Sequence, residues 1–441
     1  FQAEDGIRDA QESRGLGDVY KRQTQYVDPK SFIEGTHINQ SGRVNFELDG
    51  TSLAYLPNMR LLNVGCSSNG DHLYNRLVGA YAIINNIRLL DGKTELSACN
   101  VAHLIQGFKN INRTNSHSEA VDSKLSQNSV GWEVQGADRK IGRVEKVRNA
   151  TALVANSASG WLDLRDIFPM LNSVSHLPTA VFKNLNIQIE YSTLLDRQLL
   201  VNTAAHVTSK RPILAVDVLQ NPKIVARLNG QLKSARWLEL EHDQFNIPQS
   251  KNNGGADDQN LLQSVNPKIN AFNNKHVERI LIVKEFQNPL KVINGSGLQI
   301  GFGRYASPAC FKQTVNFRVN GRNIFPRSGI TGNNERLAYL IDAWGDCIAY
   351  PSSNQYGLAS IADVVVDGAD YTGQLDYIGG YIGEYINDLV INYSRVGLQG
   401  DGGLNDRRPT TDALIAHVYC ECAKQLIVNP DLSYTIEYSQ M

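Results

Sequence analysis

A chain of 441 residues exceeds the usual span of one hydrophobic core, so two domains of about 200 residues each are expected. Apolar residues make up 42% and charged residues 20%, with a formal net charge of -1, which excludes both a disordered chain and a strongly basic nucleic-acid binder. No apolar run approaches the ~20 residues of a membrane helix, and no secretory signal precedes the periodic region.

In chain order, residues 1–23 (FQAEDGIRDAQESRGLGDVYKRQ) resemble a translated sequencing-adapter read and are expected to carry no fold information. The alternative is a charged, disordered arm that reaches a neighbouring subunit. From residue 43 onward, short apolar or alternating runs separated by Asn, Gly, Asp and Pro dominate, so the chain reads as mainly β. Strands are predicted over 44–48, 80–90, 185–191, 213–219, 237–241, 280–283, 315–319, 389–393 and 414–422. A hairpin follows, in which residues 425–428 return through Asn429-Pro430-Asp431 into the alternating run 434–438.

Only two helices have a clear apolar stripe. Val101, Leu104, Ile105 and Phe108 form one, and Leu337, Leu340, Ile341 and Trp344 the other, with Gly345 placed to end it; both are expected to pack on sheet edges. Residues 110–129 and 249–274 are polar, rich in Asn, Ser and Gly, and predicted to be surface loops.

The run Asn184-Leu185-Asn186-Ile187-Gln188-Ile189-Glu190-Tyr191-Ser192 is echoed by Asn387-Asp388-Leu389-Val390-Ile391-Asn392-Tyr393-Ser394, one domain length later. Two equivalent strands of repeated sandwiches would give this echo. The expected division is a segment 1–23, a first domain 24–215 and a second domain 216–441.

Motifs that carry chemistry are missing: there is no HExxH, Walker loop, GxSxG or strand-to-helix GxGxxG. Gly301-Phe302-Gly303-Arg304 and Gly400-Asp401-Gly402-Gly403 read as turns. Of the six cysteines, only Cys420 and Cys422 are close, and strand spacing makes them two small core side chains on one face. Glu239, Glu241, His242 and Asp243 form the densest polar cluster. Alternation puts Trp237, Glu239, Glu241 and Asp243 on one face, read as solvated, although two same-face carboxylates also suit glycoside hydrolysis or cation binding. The nine histidines read as dispersed polar groups, and Trp132, Trp161, Trp237 and Trp344 as core or interface anchors. No catalytic, cofactor-binding or metal-binding residue is expected, no cofactor, and no enzyme.

Several segments together resemble the double jelly-roll major capsid proteins of double-stranded DNA viruses, closest to those of Polinton-like viruses and virophages. They are Trp161-Leu162-Asp163-Leu164-Arg165-Asp166-Ile167-Phe168-Pro169-Met170-Leu171, the Leu177-Pro178 step, residues 184–192, Asn86-Ile87-Arg88-Leu89-Leu90-Asp91-Gly92, residues 237–248, Phe317-Arg318-Val319-Asn320-Gly321-Arg322-Asn323-Ile324-Phe325-Pro326 and Ile391-Asn392-Tyr393-Ser394-Arg395. The resemblance implies an all-β fold of two tandem eight-stranded jelly rolls with a few short helices. It implies a structural protein of the virion capsid, assembled inside the host cell into pseudo-hexagonal homotrimeric capsomers. The partners would be further copies of the chain and minor capsid or penton proteins, with no specific nucleic-acid binding and no transmembrane segment. Two other readings stand beside it: a minor capsid or vertex jelly-roll protein, and a carbohydrate-binding or carbohydrate-active β-sandwich using Glu239 and Glu241.

Overall fold

The computed structural model describes residues 22–32, 42–48, 50–64, 66–68, 72–73, 81, 84–111, 132–133, 144–145, 160–191, 200–201, 207–209, 211–250, 262–287, 307, 310, 313–326, 328–331, 333–345, 377–396 and 412–439. The first half contributes eight principal strands: β1 (Arg22–Val27), β2 (Arg43–Glu47), β3 (Arg60–Val64), β4 (Ile84–Asp91), β5 (Thr94–Asn100), β6 (Gly160–Asp163), β7 (Leu185–Tyr191) and β8 (Ile213–Leu219). The second half contributes β9 (Ser234–Ile247), β10 (Leu262–Val265), β11 (Lys275–Phe286), β12 (Thr314–Val319), β13 (Arg322–Asn323), β14 (Ile378–Ile386), β15 (Leu389–Val396) and β16 (Leu414–Val428), and then β17 (Tyr434–Tyr438). Among the described residues the helices are α1 (Ala102–Ile111), α2 (Met170–Ser173), α3 (Pro222–Asn229) and α4 (Asn333–Trp344).

Each half is a sandwich of two antiparallel sheets, and the two halves share one topology. One sheet runs β1-β8-β3-β6 in the first half and β9-β16-β11-β14 in the second; the other runs β2-β7-β4-β5 and β10-β15-β12-β13. Adding eight to a strand label therefore gives its counterpart. Short strands extend the plan: Ala54–Tyr55 and Leu177–Pro178 widen the first sheet, and β17 pairs with the end of β16. α1 and α4 also correspond, each following the fourth strand of its second sheet.

The echoed strands occupy equivalent places. β7 lies between β2 and β4, and β15 between β10 and β12. Aligned on their tyrosines, Ile189 and Tyr191 face Ile87 and Ile84, while Ile391 and Tyr393 face Phe317 and Val315. Their alternate residues are buried, as a half-covered strand requires. The hairpins beside them match as well. Asp91 Oδ1 accepts from the Asn184 N–H, and Asn320 Oδ1 accepts from the Asn387 and Asp388 N–H groups. Both turns need left-handed backbone: Gly92 has φ +60°, and Asn320-Gly321 have φ +49° and +82°, the signature of a two-residue type I′ turn.

Three expectations change. β8 runs unbroken through residues 215 and 216 and pairs on both sides within the first sheet, so we place the division between the halves after Leu219. Arg22 and Gln23 belong to β1, facing Leu219 and Val218, so the segment without fold information cannot extend to residue 23. Arg22 and Asn58 hydrogen-bond Asp217 Oδ2, and Thr24 donates to Oδ1 at 2.5 Å. Burial alone would raise the Asp217 carboxyl, but these donors outweigh it and hold it below its usual range. The polar stretch 249–274 is likewise not a loop throughout. It contains β10, and Ile269 and Phe272 insert into the second core. Residues 110–129 lie outside the described residues apart from the end of α1.

Candidate functional site at the seam between the two jelly rolls

The densest chemistry lies where the two rolls meet. The second roll has its own core, built from Phe245, Ile280, Phe317, Ile391, Val418 and their neighbours. A separate apolar cluster begins in the first roll and continues without a break into Trp237, Leu281, Val283, Trp344, Tyr377, Tyr419 and Leu426 of the second. The central strand β16 is buried along nearly all of its first eleven residues. That pattern means both faces of its sheet are covered, one by its own core and the other by the first roll.

The two equivalent helices meet there; α4 packs on the edge strand β14, as the sequence leads one to expect, whereas α1 packs on β4 in the interior of its sheet. Phe108 of α1 stands edge-on to Trp344 of α4 at 5.8 Å and to Tyr377 at 4.9 Å. Trp344 donates Nε1–H to the Ile280 carbonyl at 3.0 Å and lies under the Arg279 guanidinium at 4.1 Å. Arg279 in turn forms a two-pronged ion pair with Glu421 at 2.7 and 3.0 Å. The helix sits so close to β14 that a Cβ on Gly379 would stand 2.6 Å from Leu340.

Glu239 is the most constrained charge in the seam. It is 2% exposed. Oε1 accepts from Ser97 Oγ at 2.9 Å and the Ala98 N–H at 3.0 Å, both on β5 of the first roll, and Oε2 accepts from Trp237 Nε1 at 2.6 Å. Burial pushes its carboxyl up to about 7, against the opposing pull of Lys424 and the three donors. The solvated-face reading therefore fails for Glu239: alternation was right about the face, but the first roll covers it. Glu241 is partly exposed and bonded instead to the Tyr438 hydroxyl at 2.5 Å, with Lys275 at 3.5 Å and Lys424 at 3.8 Å. A carboxylate sealed by three donors cannot act on a glycan beside it.

Two more links cross the seam. The Tyr434 hydroxyl donates to Asp91 Oδ2 at 2.8 Å while its ring packs on Phe182, so β17 ties the end of the chain to the first roll. The Tyr419 hydroxyl donates to the Val101 carbonyl at 3.2 Å. Trp237 and Trp344 are the anchors the sequence suggested; the side chains of Trp132 and Trp161 lie outside the described residues. Cys420 and Cys422 sit side by side in the second core, as their spacing indicated. Sequence reasoning missed the pairing of His242 with His417, which are 175 residues apart. No local signal connects them.

Among the described residues no group of three His, Cys, Asp or Glu side chains is placed to hold a metal ion, and no helix is long and apolar enough to cross a membrane.

No protein-family model matches the chain, and no curated protein matches it. Solved structures do. The Sputnik virophage structure determined by electron cryomicroscopy at 3.5 Å is similar with a TM-score of 0.57 and 11% identity, over 96% of this chain and 90% of that one. PBCV-1 VP54 fitted into a reconstruction of Sputnik gives 0.53 and 12%, over 96% and 99%. The Faustovirus major capsid protein gives 0.51 and 6%, over 92% and 90%. With the two sheets of each half in matching order, these likenesses fix the architecture: the chain is a double jelly roll.

Proposed function

We propose that this chain is the major capsid protein of a double-stranded DNA virus, of the kind found in virophages and Polinton-like viruses. The observation that carries the reading is the seam. Two topologically equal rolls joined by one continuous apolar cluster form a single stiff block, and the likeness to virus shell proteins spans both rolls. In this reading three chains form a pseudo-hexagonal capsomer with six rolls, and capsomers tile the virion shell with minor capsid or penton proteins at its gaps. The chain, in this reading, works by surface and stiffness.

Open sheet edges suit it to lateral contacts. Tyr26, Leu262 and Tyr381, the three most exposed large apolar side chains among the described residues, lie on the edge strands β1, β10 and β14. Side chains of this kind anchor interfaces between copies. Purified protein should run in light scattering at three times 48.8 kDa and show hexagonal outlines by electron microscopy. A concentration-independent monomer, or a pentamer, would overturn the assignment, the pentamer in favour of a vertex protein.

A further inference from the structure

A chain of ring contacts runs from inside the second roll to the first. Glu285 of β11 faces His417 Nε2 at 3.1 Å; His417 Nδ1 faces His242 Nε2 at 3.0 Å; and the His242 ring lies against Tyr419 at 5.0 Å. Tyr419 then bonds the Val101 carbonyl at the start of α1. Val101 is a β-branched residue at φ +48°, a conformation that costs on the order of 1–3 kcal/mol and persists only where surroundings enforce it. Its N–H is held by Asn86 Oδ1 at 3.1 Å and its carbonyl by Tyr419.

We propose that the His242–His417 pair is an acid-sensitive catch on the seam between the two jelly rolls. Neutral rings fit the geometry in one way. Glu285 accepts from His417 Nε2–H, and the bare Nδ1 of His417 accepts from His242 Nε2–H. A proton on each ring would set two N–H donors against each other at 3.0 Å, with the rings stacked at 22°. The groups facing the pair are Glu285 from β11 and Tyr419 from the same strand as His417, with Cys99 from β5 behind Tyr419. Among the described residues facing the pair, Glu285 carries the compensating charge, and its hydrogen bond is to His417 rather than to His242. Burial, with His417 beside it, accordingly pushes the His242 ring down to about 3.

An opened seam would return His242 to water and its ordinary value of 6.5. Acid then favours the open form, and between pH 7 and 5 the open population rises roughly 25-fold from this group by population-shift arithmetic. The catch is a property of the fold and stands whether or not the chain forms a shell.

The test is amide hydrogen exchange of residues 101–108 in the full chain at pH 7 and pH 5, wild type against His242→Gln. Comparing the two proteins at each pH cancels the intrinsic exchange rate and the titration of Glu239. Wild type is expected to gain roughly 25-fold more opening than the variant on acidification. Equal responses overturn the proposal. The histidine NMR titration of wild type decides it independently of how well the variant folds: His242 must stay neutral through pH 5, and a transition near 6.5 in the folded chain overturns the catch.

Discussion

Replacing Glu239 with glutamine sets desolvation against hydrogen bonding in a way the structure makes quantitative. A carboxyl moved from 4.5 to about 7 on folding corresponds to about 3 kcal/mol. The folded chain binds this proton more tightly than the unfolded one. The group's contribution is therefore fully present below pH 4.5 and is lost as pH rises through 7. Between pH 5 and pH 8 wild type should lose about 2–3 kcal/mol that the glutamine variant keeps, whatever constant cost the amide incurs by facing the three donors. Urea denaturation followed by tryptophan fluorescence at the two pH values measures this difference of differences. A flat difference, or one of opposite sign, would show that Ser97, Ala98, Trp237 and Lys424 hold Glu239 ionised and that burial does not dominate.

Two further predictions concern the ends and loops of the fold. Deleting residues 1–21 should leave the melting temperature unchanged, whereas deleting 1–23 should cost about 1 kcal/mol, because buried Asp217 loses its Arg22 partner and β1 its first two ladder pairs; equal melting temperatures for the two truncations would remove Arg22 from the fold. A Gly-Ser linker over residues 251–261 should be tolerated, but Phe272→Ala should cost about 3–5 kcal/mol, since its ring is fully buried in the second core; calorimetry of the two variants separates a loop from a core segment.

What the sequence made legible follows what is local. β7 and β8 begin and end where the alternation and the apolar run place them, because every second residue of β7 is buried and nearly all of β8 is. The Tyr-Ser echo marks equivalent strands because its period-2 pattern and the turn that caps it are both short-range features. β11 and β16 are longer than predicted because Lys284, Glu285 and Lys424 interrupt their apolar runs while remaining buried. Partners of the buried charges lie far along the chain: Ser97 is 142 residues from Glu239, and His417 is 132 from Glu285. β10 was hidden for the opposite reason, since its most apolar residue, Leu262, faces solvent at an edge. The two amphipathic helices could be read as helices, but the identity of the surface covering them could not.

The length of three neighbouring strands in the second roll has a mechanical consequence. β9, β11 and β16 run for 14, 12 and 15 residues, against five to eight for most strands of the first roll. The extra length carries their sheet beyond its own core, so that one face serves the second roll and the other serves the seam. Bending the rolls apart would expose Phe108, Trp344, Tyr377 and Tyr419, all fully buried. Aromatic side chains of this size bury roughly 150–250 Å² each, or about 4–6 kcal/mol apiece at ~25 cal/mol/Å², part of it against their own roll. Even half of that total exceeds what thermal motion or a weak lateral contact supplies. In the shell proposed above the chain would meet its neighbours as one rigid body, any adjustment to a curved or flat lattice would fall on the edge strands and loops, and the seam would yield only to a change in the charge buried within it.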